Sequence, residues 1–259
     1  MRFRTLAVGY GLALALFLFA QHRPQTASAA GFHGVLDLTQ AIDVGKPRSP
    51  QAADKAPYRL APSAEVPSGT EKRASMVMPV SASRIVAPSE LAPEMWAVDQ
   101  IPAERLIAPL VVLDLSTQTQ AHDRYRISVE DIAHWEHANG QIPLGAVVMA
   151  RTRSELAGPS SGSVHEASLA TSIGYSEDAA KFLVEGREVR GLGTDTAALT
   201  DDSAEGKRVF AYTLAHSVYH LENVANLDRA PDSGAVLVVA PTKVAGRSSA
   251  AVRLIALLR

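Results

Sequence analysis

The chain has 259 residues, 47% apolar and 20% charged, with 17 glycines and 15 prolines. This is the balance of an ordinary globular protein of one large or two small domains, and it excludes collagen-like, coiled-coil and wholly disordered chains. A total of 25 Lys and Arg against 27 Asp and Glu leaves a net charge of −2 and no basic stripe to follow a phosphate backbone, so nucleic acid is not an expected partner. With no cysteine there is no disulfide, thiolate zinc site, iron–sulfur cluster or cysteine nucleophile, and any metal must be held by His, Asp or Glu.

In chain order, Arg2 and Arg4 precede a 15-residue apolar run, Leu6 to Ala20, which the polar segment 21–25 and the small residues Ala27-Ser28-Ala29-Ala30 follow. That order predicts a secretory signal peptide over 1–29 and an exported, periplasmic or secreted protein. The run is shorter than the ~20 residues a membrane span needs. Cleavage leaves 22 basic against 27 acidic residues, a charge of −5, with no membrane attachment expected. Residues 30–259 read as one domain.

Within it, 35–38 predicts a short strand. Residues 45–73 hold Pro47, Pro50, Pro57, Pro62 and Pro67, which predict an extended loop or arm. Apolar runs at 110–115, 146–150, 189–193, 235–240 and 252–258 suit strands covered on both faces. Helices are expected from Ser128 to Gly140, opened by Ser128 and Asp131, from Glu177 to Glu185 after the cap Ser176 with Gly186 as the stop, and from Val209 to Leu221. Segments 152–175 and 197–208, rich in Ser, Gly, Ala and Thr, read as surface loops. Alternating strands and helices indicate an α/β fold.

Local motifs are weak. His216 and His220 fall one turn apart on the expected third helix, a spacing that binds zinc, yet Ser217 stands where a zinc protease needs Glu, and Glu222 falls about 200° around the helix axis from His220. A packed histidine pair is the plainer reading. His134 and His137 flank Trp135 and read as solvated, with Ile132 and Trp135 facing the core. Serines near His165 lack the Gly-x-Ser-x-Gly turn of hydrolases. Gly191-Leu-Gly-Thr194 lacks the third glycine of a dinucleotide fingerprint and reads as a strand end.

Several segments taken together are more specific: Val35-Leu-Asp-Leu-Thr39, Val98-Asp-Gln-Ile-Pro102 with Glu104-Arg-Leu106, Val111-Val-Leu-Asp114, Ile142-Pro-x-Gly145-Ala-Val-Val148, Gly193-x-Asp195-Thr196, Leu221-Glu-Asn-Val-Ala-Asn-Leu227 and Val238-Val-Ala-Pro241. In this order they resemble the cyclase family of metal-dependent hydrolases, to which kynurenine formamidase and isatin hydrolase belong. The resemblance runs from Gly31 to Arg259. It implies a swivelling β/β/α fold in one compact domain, a homodimer or tetramer, and a divalent cation, Zn or Mn, that activates water to open an amide or lactam. The family's ligands come from a motif His-x-Gly-Thr-His-x-Asp-x-Pro-x-His, whose last histidine works in acid–base catalysis, and from a later His and Glu.

Laid on this sequence from the Val98 anchor, the motif falls on Val80 to Glu90. Val80, Arg84 and Val86 stand at the metal ligands, Pro88 is retained, and Glu90 replaces the catalytic histidine. No histidine lies between His33 and His122, so no shift of alignment restores the motif. Glu222 matches the late glutamate, and Phe210 stands at the late histidine. Valine offers no lone pair, and arginine adds a fixed positive charge. No cofactor is therefore expected.

Arg84 is expected to turn its guanidinium onto Glu222 in the old metal pocket, where Trp96 and Pro88 are candidate walls. The favoured reading is an inactive exported member of the family with a pocket for a small aromatic or carboxylated ligand. Two others stand beside it: an active amidohydrolase of arylformamidase type with a metal site rebuilt from His33, His216, His220 and Glu222, and an inert structural partner of an active relative. If chemistry persists, Glu90 and Glu222 are the acid–base candidates; Asp99 and Asp195 read as structural.

Overall fold

The computed structural model describes residues 31–41, 60–61, 75–76, 82–121, 124–152, 172–201 and 203–259. The expected leader, most of the proline-rich 45–73 stretch, Val80 and residues 153–171 lie outside them. Two compact units, Met1–His33 and Gly34–Arg259, are distinguished, and every element below belongs to the second. In chain order these are β1 (Gly34–Asp37), β2 (Leu60–Ala61), β3 (Ser75–Met76), β4 (Arg84–Val86), β5 (Ile107–Asp114), α1 (Ser116–Ala121), β6 (Arg124–Ile127), α2 (Val129–Asn139), β7 (Val147–Arg151), β8 (Ser172–Tyr175), α3 (Glu177–Arg187), β9 (Gly191–Thr194), α4 (Ala204–Ala215), β10 (Tyr219–Glu222), β11 (Val236–Pro241) and β12 (Ser249–Leu258). No helix among the described residues is long and apolar enough to cross a membrane.

Seven strands close a β-barrel in the order β12-β11-β5-β7-β9-β10-β4, with β4 returning to β12. The β5, β7, β9 and β10 pairings are parallel, and helices cover this part of the ring; β11, β12 and β4 close it in antiparallel fashion. Ten-residue β12 serves two neighbours along one edge, pairing Ser249–Ala251 with β4 and Ile255–Leu258 with β1. Closure leaves few unpaired strand edges.

Two apolar layers explain the continuous hydrophobic runs. Ile85, Leu110, Val112, Met149, Leu221, Leu237 and Leu254 fill the barrel. Their neighbours along the strands, Val111, Leu113, Val148 and Leu192, face outward onto Ile132 and Trp135 of α2, Leu183 of α3 and Val209 of α4. Both faces of the parallel strands are thus dry, as the sequence pattern requires. At Gly191 a Cβ would run into the Tyr219 ring, and at Gly193 it would lie 2.9 Å from the Met149 side chain; glycine lets β9 pass this crowded interior. The result is a mixed α/β fold in one domain, built around the closed barrel.

The helix over 128–140 forms with the expected cap: Ser128 accepts from the Asp131 N–H, and the Asp131 carboxylate accepts from the Ser128 N–H. Three expectations are corrected. Gly186 does not stop α3, which runs to Arg187 and ends where Glu188 turns left-handed at φ 50°; Arg187 forks onto Glu136 and fixes that last turn. Val209–Leu221 is not one helix. Ser203 caps α4 six residues earlier than expected, Ser217 at φ 59° turns the chain, and Tyr219–Glu222 continues as a strand. The expected loops also hold structure: Ser172–Tyr175 is strand β8 with Ile173 and Tyr175 buried, Leu199 is buried, and α4 begins at Ala204. The short β4 and β10 have no counterpart in the sequence reading.

Candidate functional site

Strand alternation decides which side chains share a face. On β10, Tyr219 and Leu221 belong to the barrel interior, as Ile85 does on β4. His220 and Glu222 therefore face outward with Arg84 and Val86. The antiparallel register sets Glu222 opposite Arg84 and His220 opposite Val86. This corrects the helical placement of Glu222: a strand brings residues two apart onto one side, where a helix would separate them.

On the outer face the expected ion pair is present. Arg84 Nε donates to Glu222 Oε2, while Glu222 Oε1 accepts from the Leu199 N–H at 3.3 Å. The Glu222 side chain is 5% exposed and that of Arg84 30%, so the carboxylate is buried and the guanidinium leads from it to solvent. Beneath the pair, the Asn223 Nδ2 donates to the Ala82 carbonyl and the Ser83 hydroxyl to the Asn223 carbonyl, at 3.2 and 2.6 Å, tying the entry of β4 to the exit of β10.

One rung along, α4 covers His220. Its Nε2 lies 2.7 Å from Thr213 Oγ1, and the Phe210 ring meets the imidazole edge-on at 5.5 Å. Since the Thr213 hydroxyl donates to the Val209 carbonyl at 2.8 Å, it accepts from Nε2–H, which leaves a lone pair on Nδ1. That Nδ1 is buried without a hydrogen-bond partner. Complete burial pushes the His220 pKa down to about 3, so the ring is neutral.

The other sequence candidates disperse. Pro88 is buried at the head of a 3-10 turn, Pro88–Glu90, that packs against α4, and Glu90 is exposed at its end. Trp96 packs against the barrel-interior cluster with the Arg105 guanidinium 5.5 Å over its ring. His216 is exposed at the end of α4, its Nδ1 2.7 Å from the Tyr212 carbonyl. His134 and His137 are exposed, while Ile132 and Trp135 are buried. Asp99 accepts from the Gly246 N–H at 2.9 Å and shapes a turn.

The donor set does not fit a divalent cation. Among the described residues no three His, Asp or Glu side chains come together as a metal cluster, so His216, His220 and Glu222 are not assembled into one; His33 belongs to the other compact unit. A cation arriving at Glu222 would meet the guanidinium already bound to the carboxylate, with a valine and a phenylalanine at two further ligand positions.

The sequence reading takes Asp195 as structural but gives no sign of its burial, and it offers no cavity beside α2. Asp195, past the end of β9, accepts the Thr152 N–H on Oδ2 at 2.8 Å, while Oδ1 is buried without a partner. Removal from water pushes its pKa up to about 7, against the Thr152 hydrogen bonds and the nearby Arg151 charge. A cavity of about 410 Å³ between β5, α1 and α2 is lined by Asp114, Asp131, His134, Trp135 and Asp232 among others. Its acids are already engaged: Arg151 Nη2 bridges Asp114 and Asp232 at 2.8 and 3.2 Å, and Asp131 accepts from the Tyr125 hydroxyl.

Comparison with known proteins places this geometry. Residues 36–201 match the protein-family model described as "Putative cyclase". An isatin hydrolase of Roseibium aggregatum is 29% identical over 166 residues, which are 62% of this chain and 63% of that relative, so the match spans less than two thirds of its length. Among solved structures, isatin hydrolase A from Labrenzia aggregata bound to benzyl benzoate superposes with a TM-score of 0.68 and 25% identity, covering 87% of this chain and 93% of that one. A protein described as a predicted metal-dependent hydrolase, from Bacillus stearothermophilus, gives a TM-score of 0.58 and 25% identity over 87% and 98% of the two chains. The family model covers more than half of the sequence and the barrel agrees with these structures: the chain belongs to the cyclase family.

Proposed function

We propose that this chain is an exported, metal-free member of the cyclase family that binds a small aromatic or carboxylated molecule and does not hydrolyse it. The Arg84–Glu222 pair carries this reading. A site with the motif's Asp and the late Glu balances two negative charges against a divalent cation. Here Val86 removes one carboxylate and Arg84 sets a single positive charge against the other, so the site is again neutral. That compensation supports a site remade around a guanidinium. Hydrolysis of an amide or lactam by the family's chemistry needs a metal-bound water that loses its proton near neutral pH, and an arginine, always protonated, neither binds nor activates water in that way. Glu222 has both oxygens engaged, and Glu90 stands alone at the surface.

The amino-terminal apolar run supports export, and the family supports a homodimer or tetramer. The test is hydrolysis of isatin and of N-formylkynurenine by the purified chain, with and without added Zn or Mn. No rate above the uncatalysed reaction is expected. Metal-stimulated turnover that Glu222→Gln abolishes would overturn the proposal.

A further inference from the structure

We infer that the cavity between β5, α1 and α2 is a binding site for a small aliphatic diammonium compound. It shares no lining residue with the Arg84–Glu222 pair or the groups bonded to that pair. Its volume of about 410 Å³ lies within the range of small-molecule pockets, and the composition of α2 explains why it is open. Asp131, His134, Trp135, Ala138 and Asn139 fall at i, i+3, i+4, i+7 and i+8, one continuous stripe of the helix turned toward the cavity. On that stripe Trp135 reaches β5, where its Nε1 donates to the Val112 carbonyl at 2.9 Å. The polar or small residues around it do not fill the space against the strand. What Trp135 offers the cavity is therefore ring carbon, beside the buried Leu113 and Leu115.

Charge selects the ligand. Asp114, Asp131 and Asp232 line the cavity. Arg151 bonds Asp114 and Asp232 at 2.8 and 3.2 Å, whereas Asp131 is held by neutral groups, the Tyr125 hydroxyl at 2.9 Å and the Ser128 N–H at 2.8 Å. Three carboxylates against one guanidinium leave two negative charges uncompensated, so a carboxylate or phosphate is repelled and a dication is matched. An acceptor is also free: Asp232 gives Oδ1 to Arg151, and its Oδ2 has no hydrogen-bond partner among the described residues.

A bare metal ion is not served by this lining. Such an ion needs several oxygens converging on one point, and among the described residues no three acids or histidines do so. A methylene chain with an ammonium at each end reaches carboxylates that stand apart, and its apolar middle rests on Trp135 and the two leucines.

Calorimetric titration of the full chain with diaminobutane, with butanediol as its uncharged counterpart, and with magnesium chloride tests this. Diaminobutane is expected to bind about 10-fold more tightly than butanediol, and magnesium at the same concentration not to displace it. Ala138 is exposed on the rim of α2, so Ala138→Phe puts a ring into the cavity and is expected to abolish diamine binding with the circular dichroism unchanged. Asp232→Asn leaves Arg151 its bond to Asp114 and is expected to weaken diamine binding about 5-fold. Equal binding of diamine and diol, no diamine binding at millimolar concentration, or unchanged affinity in Ala138→Phe would overturn the inference. Displacement by equimolar magnesium would do the same, since it marks a diffuse acidic surface. Should Ala138→Phe not fold, Asp232→Asn decides alone, and unchanged affinity there overturns the inference.

Discussion

Replacing Arg84 by alanine removes the guanidinium that faces the buried Glu222 carboxylate. Among the described residues, that carboxylate keeps the Leu199 N–H at 3.3 Å. Breaking a buried ion pair from one side costs about 3–5 kcal/mol, because the other charge is left unpaired in a poor solvent. Arg84 is 30% exposed, and water entering the vacated space reduces the loss to about 2–3 kcal/mol. For a chain of this size each kcal/mol corresponds to roughly 2–4 °C in Tm, so a fall of about 5–10 °C is expected. Adding Glu222→Gln should recover part of it, because a neutral amide tolerates burial better than a carboxylate. The double-mutant cycle by urea denaturation should give a coupling of about 1–2 kcal/mol. A single variant within about 0.5 kcal/mol of the native protein, or no coupling, would refute the idea that the pair holds this face together.

Three further outcomes are expected. Asp195 has a folded-state pKa of about 7 against an ordinary 3.8, so the unfolded chain loses its proton first as pH rises and stability falls across that window. Asp195→Asn should therefore melt higher than the native protein at pH 8, with the gap closing toward pH 4; a constant gap across that range contradicts the assignment. Gly191→Ala drives a Cβ into the Tyr219 ring inside the barrel and should destabilise by about 1–3 kcal/mol, measured by thermal melting, with Tyr219→Leu restoring part of the loss. Trp135→Phe deletes the buried 2.9 Å hydrogen bond to the Val112 carbonyl and should cost about 1–2 kcal/mol in the same assay.

Strong local signals were legible in the sequence. The Ser128 and Asp131 box fixed the start of α2, and the apolar runs at 110–115 and 252–258 became the long barrel strands. Failures fell where local and tertiary signals disagree. Val209–Leu221 reads as a continuous apolar helix because nothing in its composition announces a break; the turn is made by Ser217 in a left-handed conformation, without the glycine that normally marks one. Strand β10 then exists because β9 and β4 flank it, and a three-residue β4 is too short for any periodicity to register. The same error hid the site, since a helical His220 and Glu222 point apart while a strand puts them together. Arg84 became legible only by laying the family motif over residues 80–90. The buried Asp195 and the Thr213–His220 bond depend on packing between distant segments and left no local trace.

The central claim is that the Arg84 guanidinium paired with Glu222 takes the place of a metal in a chain whose structural neighbours include proteins described as metal-dependent hydrolases. Its most direct test is elemental mass spectrometry of the chain, expressed and purified in zinc- and manganese-supplemented medium without chelator. The expected content is well below 0.1 equivalent, unchanged by Glu222→Gln. A stoichiometric ion that Glu222→Gln releases would contradict it and return this protein to the water-activating members of its family.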